Sequence, residues 1–214
     1  MPDVQSAADR GPPADAKEAV QVGPEMTYEE FLEWADDRHL EWVNKKPYLM
    51  PSPPTRHQRL ADFFTKTLGV FAEERELGEV ISAPYQMKVE NGREPDVLFV
   101  AAEHEHRLKE NHLDGPADLA VEVVSPTSEA RDYEEKFYEY EAGGVREYWL
   151  VDPQCEELAV YRLAENGHYR PVRPDDEGRF HSEVAPGFWL DAAWLWQDSL
   201  PKVTTVLRAW GLVG

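Results

Sequence analysis

Cysteine is almost missing from this 214-residue chain. Cys155 stands alone, which excludes an intramolecular disulfide framework and a zinc site built from thiolates. No apolar run approaches the roughly 18 residues of a membrane span, and the first residues lack the hydrophobic stretch of a signal peptide. The expectation is a cytoplasmic protein with no membrane partner. No segment repeats another. Positive charge is also scarce: 22 Lys+Arg stand against 42 Asp+Glu, a formal charge of −20. Non-specific affinity for nucleic acid comes mostly from Lys and Arg neutralising phosphates, so this balance taken whole speaks against such a partner. Apolar material is plentiful, with 42% hydrophobic and 11% aromatic residues. At this length that supports one domain with a real core.

Residues 1–25, rich in Ala, Asp and Pro with no sustained periodicity, read as a flexible N-terminal tail, leaving 26–214 as the single domain. Thr27 and Glu30 form a capping-box pattern flanked by Met26 and Phe31, which predicts a helix through Trp34 ending near Asp37. Residues 41–50 read as a strand or hairpin, closed by Pro51-Ser52-Pro53-Pro54. Leu60, Phe63, Phe64, Leu68 and Phe71 then recur at helical spacing. Beyond Gly78 the texture becomes that of strands, over 80–89, 96–100, 119–124, 147–151 and 157–163. A helix over 132–142, stopped by Gly143-Gly144, separates two of them, and 193–212 reads as a terminal helix. Helices interleaved with strands in this order predict an α/β domain with a mixed sheet.

The chemistry lies in acids placed where a core strand should be. In Asp118-Leu119-Ala120-Val121-Glu122-Val123-Val124, Glu122 shares a strand face with Ala120 and Val124. A buried carboxylate there needs a partner or a metal; the alternative is a sheet edge with Glu122 facing water. Glu94-Pro95-Asp96 leads directly into Val97-Leu98-Phe99-Val100, so Asp96 stands at the mouth of a second apolar strand. Two acids on neighbouring strands resemble the oxygen pair that a hard cation such as Mg²⁺ takes, with water and phosphate filling the remaining positions. On the following helix, Lys136 lies at the edge of the stripe made by Tyr133, Phe137 and Tyr140, pointing towards the sheet. It reads either as a lysine whose stem covers Tyr140 or as a cation beside the two acids, suited to charge growing on a phosphate.

Glu94-Pro95-Asp96, Glu122-Val123-Val124-Ser125-Pro126, Asp132 with Lys136, Gly144-Val145, Glu147-Tyr148-Trp149 and Val151-Asp152-Pro153 together resemble the Uma2 family of the PD-(D/E)XK, restriction-endonuclease-like superfamily. Leu40-Glu41 and Met50-Pro51 with His57 look like the same family's first strands and helix entry. The resemblance implies a restriction-endonuclease-like α/β core, a mixed central β-sheet flanked by helices. It also implies a Mg²⁺- or Mn²⁺-dependent endonuclease acting on DNA phosphodiesters. By this resemblance Asp96, Glu122, Glu41 and the backbone carbonyl of Val123 are the metal ligands, and Lys136 replaces the superfamily lysine, whose usual position here is Val124. His57 orients a phosphate or water, relays a proton, or simply bonds to backbone. Asn44-Lys45 stands where the family has an Asp-Gly type of turn. The rival expectation is an inactive nuclease fold serving as a binding or regulatory homo-oligomer.

Residues 41–66 carry Lys45, Lys46, Arg56, Arg59 and Lys66 against Glu41 and Asp62. DNA binding is therefore expected on that face alone, salt-sensitive and cation-dependent. Several residues are set aside. Gln86 reads as strand surface rather than a partner for a ligated water. His104, His106 and His112 lack a regular element to hold them together, and Asp152-Pro153 reads as a turn. Trp189, Trp194, Trp196 and Trp210 read as core or a homodimer interface before a base-stacking platform.

Overall fold

The computed structural model describes residues 18–35 and 38–213. Ordered chain begins earlier than the sequence predicts. Val20–Gln21 (β1) pairs antiparallel with Leu49 and Tyr48, and Val22 N–H donates to the Pro47 carbonyl at 3.0 Å. Main-chain bonds alone hold this strand and both its side chains are exposed, so no hydrophobic pattern announces it. The rest of the expected tail, residues 1–17, lies outside the described residues, as does the expected helix end at Asp37.

The capping box forms as read. Glu30 N–H donates to Thr27 Oγ1 at 3.2 Å and Thr27 N–H to Glu30 Oε2 at 2.8 Å, starting α1 (Tyr28–Ala35). β2 (Leu40–Val43) and β3 (Lys46–Leu49) make the hairpin. Its turn residues Asn44 and Lys45 both take positive φ, 50° and 64°, the conformation of a tight two-residue connection. The turn therefore keeps its geometry without a glycine. After the proline run comes the 20-residue α2 (Thr55–Glu74). The single strand expected over 80–89 is two: β4 (Gly78–Ser82) and β5 (Gln86–Lys88) part at Ala83-Pro84 and join different sheets. Proline supplies no N–H to a ladder, so the run cannot continue through it.

Next come β6 (Gly92–Arg93), β7 (Val97–Ala101), a 3₁₀ turn at Ala102–Arg107, β8 (His112–Asp114) and β9 (Leu119–Val123). A π-helical turn, Arg131–Glu135, runs straight into α3 (Lys136–Gly143), which stops at Gly144 with φ 87°. β10 (Glu147–Asp152), β11 (Glu157–Leu163), β12 (Tyr169–Val172), β13 (Arg179–His181) and β14 (Trp189–Asp191) complete the strands. The terminal helix predicted over 193–212 shrinks to α4 (Val203–Ala209), because Pro201 interrupts the segment before it. The four tryptophans join the core around α2, Trp210 lying 5.2 Å from the Phe71 ring. They act there as packing groups.

The central sheet runs β12-β11-β10-β9-β7-β4 and is mixed: β9 and β10 are parallel, every other pair antiparallel. A second six-stranded sheet, β1-β3-β2-β6-β5-β8, lies beside it. Alternation divides the central strands cleanly. Val97, Phe99, Val121, Val123 and Trp149 pack against α2, while Leu98, Ala120, Tyr148 and Leu150 pack with Tyr140 of α3 and with Met87 and Leu113 of the second sheet. The site lies on that second side.

Candidate active site

Glu122 points to the α3 side of β9, as its register with Ala120 and Val124 requires, and is only 3% exposed. Asp96 immediately precedes β7 and accepts the Val123 N–H on Oδ2 at 2.7 Å. Its carboxylate thus adds a rung beyond the Val97–Val121 pairing and ties the two acidic strands together. Glu41 comes from β2 in the other sheet and is 2% exposed. Lys136 reaches Glu122 and Glu41 across the two sheets and Asp132 one turn back. Its Nζ lies 2.7 Å from Glu122 Oε1, 3.3 Å from Glu41 Oε1 and 3.7 Å from Asp132 Oδ1. Tyr140 donates to the same Glu122 Oε1 at 2.8 Å. The lysine does reach the acids from the helix.

The π-turn explains how it does so. At 100° per residue, Arg131 and Lys136 would diverge by about 140° on an α-helix. Here the Lys136 N–H bonds the Arg131 carbonyl, five residues back, and the wider turn brings both side chains to one cleft of about 580 Å³. Glu41, His57, Asp96, Glu122, Val123 and Lys136 all line that cleft, so every site residue expected from sequence converges there. His57, in the first turn of α2, places Nε2 3.2 Å from Asp96 Oδ2, while its Nδ1 is buried without a partner.

Sequence reading overlooked Arg93. It is 1% exposed and saturated: Nη1 meets Glu41 Oε2 at 2.9 Å, and Nη2 meets Glu139 Oε1 at 2.6 Å and Glu135 Oε2 at 3.2 Å. It bolts α3 to the hairpin sheet. Asp132, buried beside Lys136, has Oδ1 left without a hydrogen bond. Gln86 is not surface but buried, donating to Glu94 Oε1 at 3.0 Å, and His39 pairs with the other oxygen of Glu94. Asp152 is the turn it was read as, accepting from Gln154 N–H at 2.8 Å.

Burial and charge compete at each acid. For Glu41, burial raises the pKa, but Lys136, Arg93 and Arg131 outweigh it and hold the carboxyl at about 2. For Glu122, burial dominates and the neighbouring carboxylates of Asp132 and Asp96 add to it; Lys136 does not compensate, and the pKa is pushed up to about 8. Lys136 itself is held above its ordinary value: burial disfavours its charge, but Glu122, Glu41 and Asp132 overcome it. The asymmetry is physical, since three carboxylates share one ammonium.

Among the described residues no three of His, Cys, Asp and Glu gather closely enough to hold a metal ion. Hydrogen bonds to Asp96 fall on Oδ2 and those to Glu122 on Oε1, leaving one oxygen of each for a ligand. That donor set fits a hard cation content with one or two carboxylates, its shell completed by water and substrate. Both oxygens of Glu41, by contrast, are taken by Lys136 and Arg93.

The family model for Uma2, described as "Putative restriction endonuclease", matches residues 28–193. The chain belongs to the Uma2 family. A search of curated proteins returns no match. Among solved structures, the Uma2 chain is similar to a nuclease described as "putative" and belonging to DUF820, from Anabaena variabilis. Identity is 16% and the TM-score 0.67, with 80% of this chain and 97% of the other covered. At that identity the likeness speaks for the fold, which is restriction-endonuclease-like: a mixed sheet with helices on its faces.

Proposed function

We propose that this Uma2 protein is a divalent-cation-dependent endonuclease hydrolysing phosphodiester bonds, with DNA as its substrate. One observation carries the reading: Glu41 of β2, Asp96 at the entry to β7, Glu122 of β9 and Lys136 of α3, separate in sequence, meet in one cleft. The family's description supports it, as does the nuclease fold. Asp96, Glu122 and the Val123 carbonyl are the residues that would hold Mg²⁺ or Mn²⁺, which when bound supplies Lewis-acid polarisation of the phosphate and the attacking water. Lys136 keeps its proton and offsets part of the negative charge that Glu122, Glu41 and Asp132 bring to the cleft, leaving direct contact with the phosphate to another group. Glu41 and Asp132 hold that ammonium in place, so Glu41 serves as a positioning residue rather than a ligand. His57 orients Asp96, and Tyr140 orients Glu122.

The basic face is narrower than its composition suggests. Lys66 pairs with Asp62 at 2.6 Å, Lys46 with Glu25 at 3.7 Å, and Arg56 bonds the Leu195 carbonyl. Lys66 also lies about 16 Å along α2 from its start, whereas Pro53, Pro54 and Gln58 line the cleft. DNA approaches over the N-terminal end of α2. Plasmid and single-stranded DNA incubated with Mg²⁺ or Mn²⁺ test the proposal. Cleavage by wild type falling at least about 10²-fold in Glu122→Ala and Asp96→Ala supports it. Full activity in either folded variant overturns the site, and inert wild type that binds neither cation favours a non-catalytic module.

A further inference from the structure

The cleft is rich in carboxylates, and a phosphate entering it needs a cation that is not already taken. Lys136 is not that cation, with three carboxylates within 2.7 to 3.7 Å and almost no exposure. Arg93 is saturated by Glu41, Glu135 and Glu139 and does not line the cleft. Arg131 differs from both. Its side chain is 16% exposed, its Nε is buried with no hydrogen-bond partner, and its nearest carboxylate oxygen, Asp132 Oδ1, is 4.0 Å away. No hydrogen bond among the described residues uses its guanidinium. A largely buried arginine with no acceptor is costly in a folded protein unless a ligand supplies one. The π-turn that aims Lys136 at the acids aims Arg131 into the same cleft, beside the Ser125, Thr127 and Ser128 hydroxyl-bearing loop.

We infer that Arg131 is the phosphate-binding residue of this cleft, taking the non-bridging oxygens of a nucleic-acid phosphodiester with its guanidinium fork. The planar fork matches phosphate geometry in a way a lysine does not. This rests on the reading of the cleft as a nuclease site and adds to it the contact that seats the substrate.

The test measures binding apart from cleavage. A short fluorescein-labelled DNA, single-stranded and duplex, is titrated with wild type, Arg131→Ala and Arg131→Lys in Ca²⁺, across a range of salt. Arg131→Ala is expected to bind about tenfold more weakly. Its plot of log affinity against log salt is expected to be shallower by about 0.7 to 0.9, the signature of one lost phosphate contact, which a merely structural role would not move. Arg131→Lys is expected to keep the slope but lose part of the affinity, and it decides the matter if Arg131→Ala does not fold. Unchanged affinity and slope overturn the assignment; if wild type still cuts DNA, the nuclease reading survives alone. Arg131-dependent binding without cleavage in Mg²⁺ or Mn²⁺ leaves the assignment standing and removes the nuclease. Wild type that binds no DNA overturns both.

Discussion

Val121 and Glu122 are neighbours on β9, both buried, and they look into opposite chemistries. Val121 faces α2 with Val97, Phe99 and Trp149, a surface held by dispersion and the exclusion of water. Glu122 faces Lys136, with Glu41 and Asp132 sharing the same ammonium and Arg93 behind. The α2 side gains from every methylene it buries, whereas the ionic side gives back in desolvation much of what its ion pairs supply. One strand therefore carries an apolar face on one side and, among the apolar residues of the other, an ionic cluster that opens to the cleft.

The difference is open to direct attack. On the apolar side, Phe64 is fully buried with its ring 6.3 Å from Trp149. Phe64→Ala is expected to lower unfolding free energy by about 3–5 kcal/mol. Urea denaturation measures that loss, and cleavage per folded molecule should stay at the wild-type level.

On the ionic side the expected effect builds up with pH and is smaller over any one pH unit. The Glu122 carboxyl sits at about 8 in the fold against 4.5 ordinarily, so between those values the native state keeps a proton that the unfolded chain releases. Stability of the metal-free protein should therefore fall as pH rises through that window, with Glu122 alone contributing at most about 1.4 kcal/mol per pH unit. Asp132, also raised by burial, adds in the same direction, while Glu41, held at about 2, contributes only below the window. Glu122→Gln should flatten the profile measured in chelator. A slope unchanged by that substitution would mean the sheet's two sides differ less in electrostatics than their residues imply.

The smallest effect lies outside both regions. Lys45 sits at φ 64°, a conformation that glycine adopts without penalty. Lys45→Gly should raise stability by at most about 1 kcal/mol, read from the thermal midpoint. It should also weaken DNA binding if that basic turn touches the backbone of the substrate.

Much of this was legible from the residues alone, and the reasons are local. The capping box at Thr27 and Glu30 is a contact within one turn, and the side of β9 that carries Glu122 follows from alternation. Lys136 was placed by helical spacing with the correct direction. What escaped depends on distant partners. Arg93 lies in Gly92-Arg93-Glu94-Pro95, which reads as turn chemistry, and only acids from β2 and α3 turn it into a buried clamp. Arg131 escaped because nothing in Arg131-Asp132-Tyr133-Glu134-Glu135 signals a π-turn; α-helical angles point it elsewhere. The break at Pro84 and the short α4 are cases where one proline outweighed an apolar run.

Arg93 and Lys136 together clasp Glu41, a residue made early in the chain, to a helix made much later. The consequence concerns synthesis. A polypeptide still emerging from the ribosome possesses Glu41, Arg93 and Asp96 long before it possesses Lys136 or the Glu135 and Glu139 through which Arg93 ties the hairpin to the helix. A chain terminated before α3 carries acids with no ammonium between them and no helix to gather them.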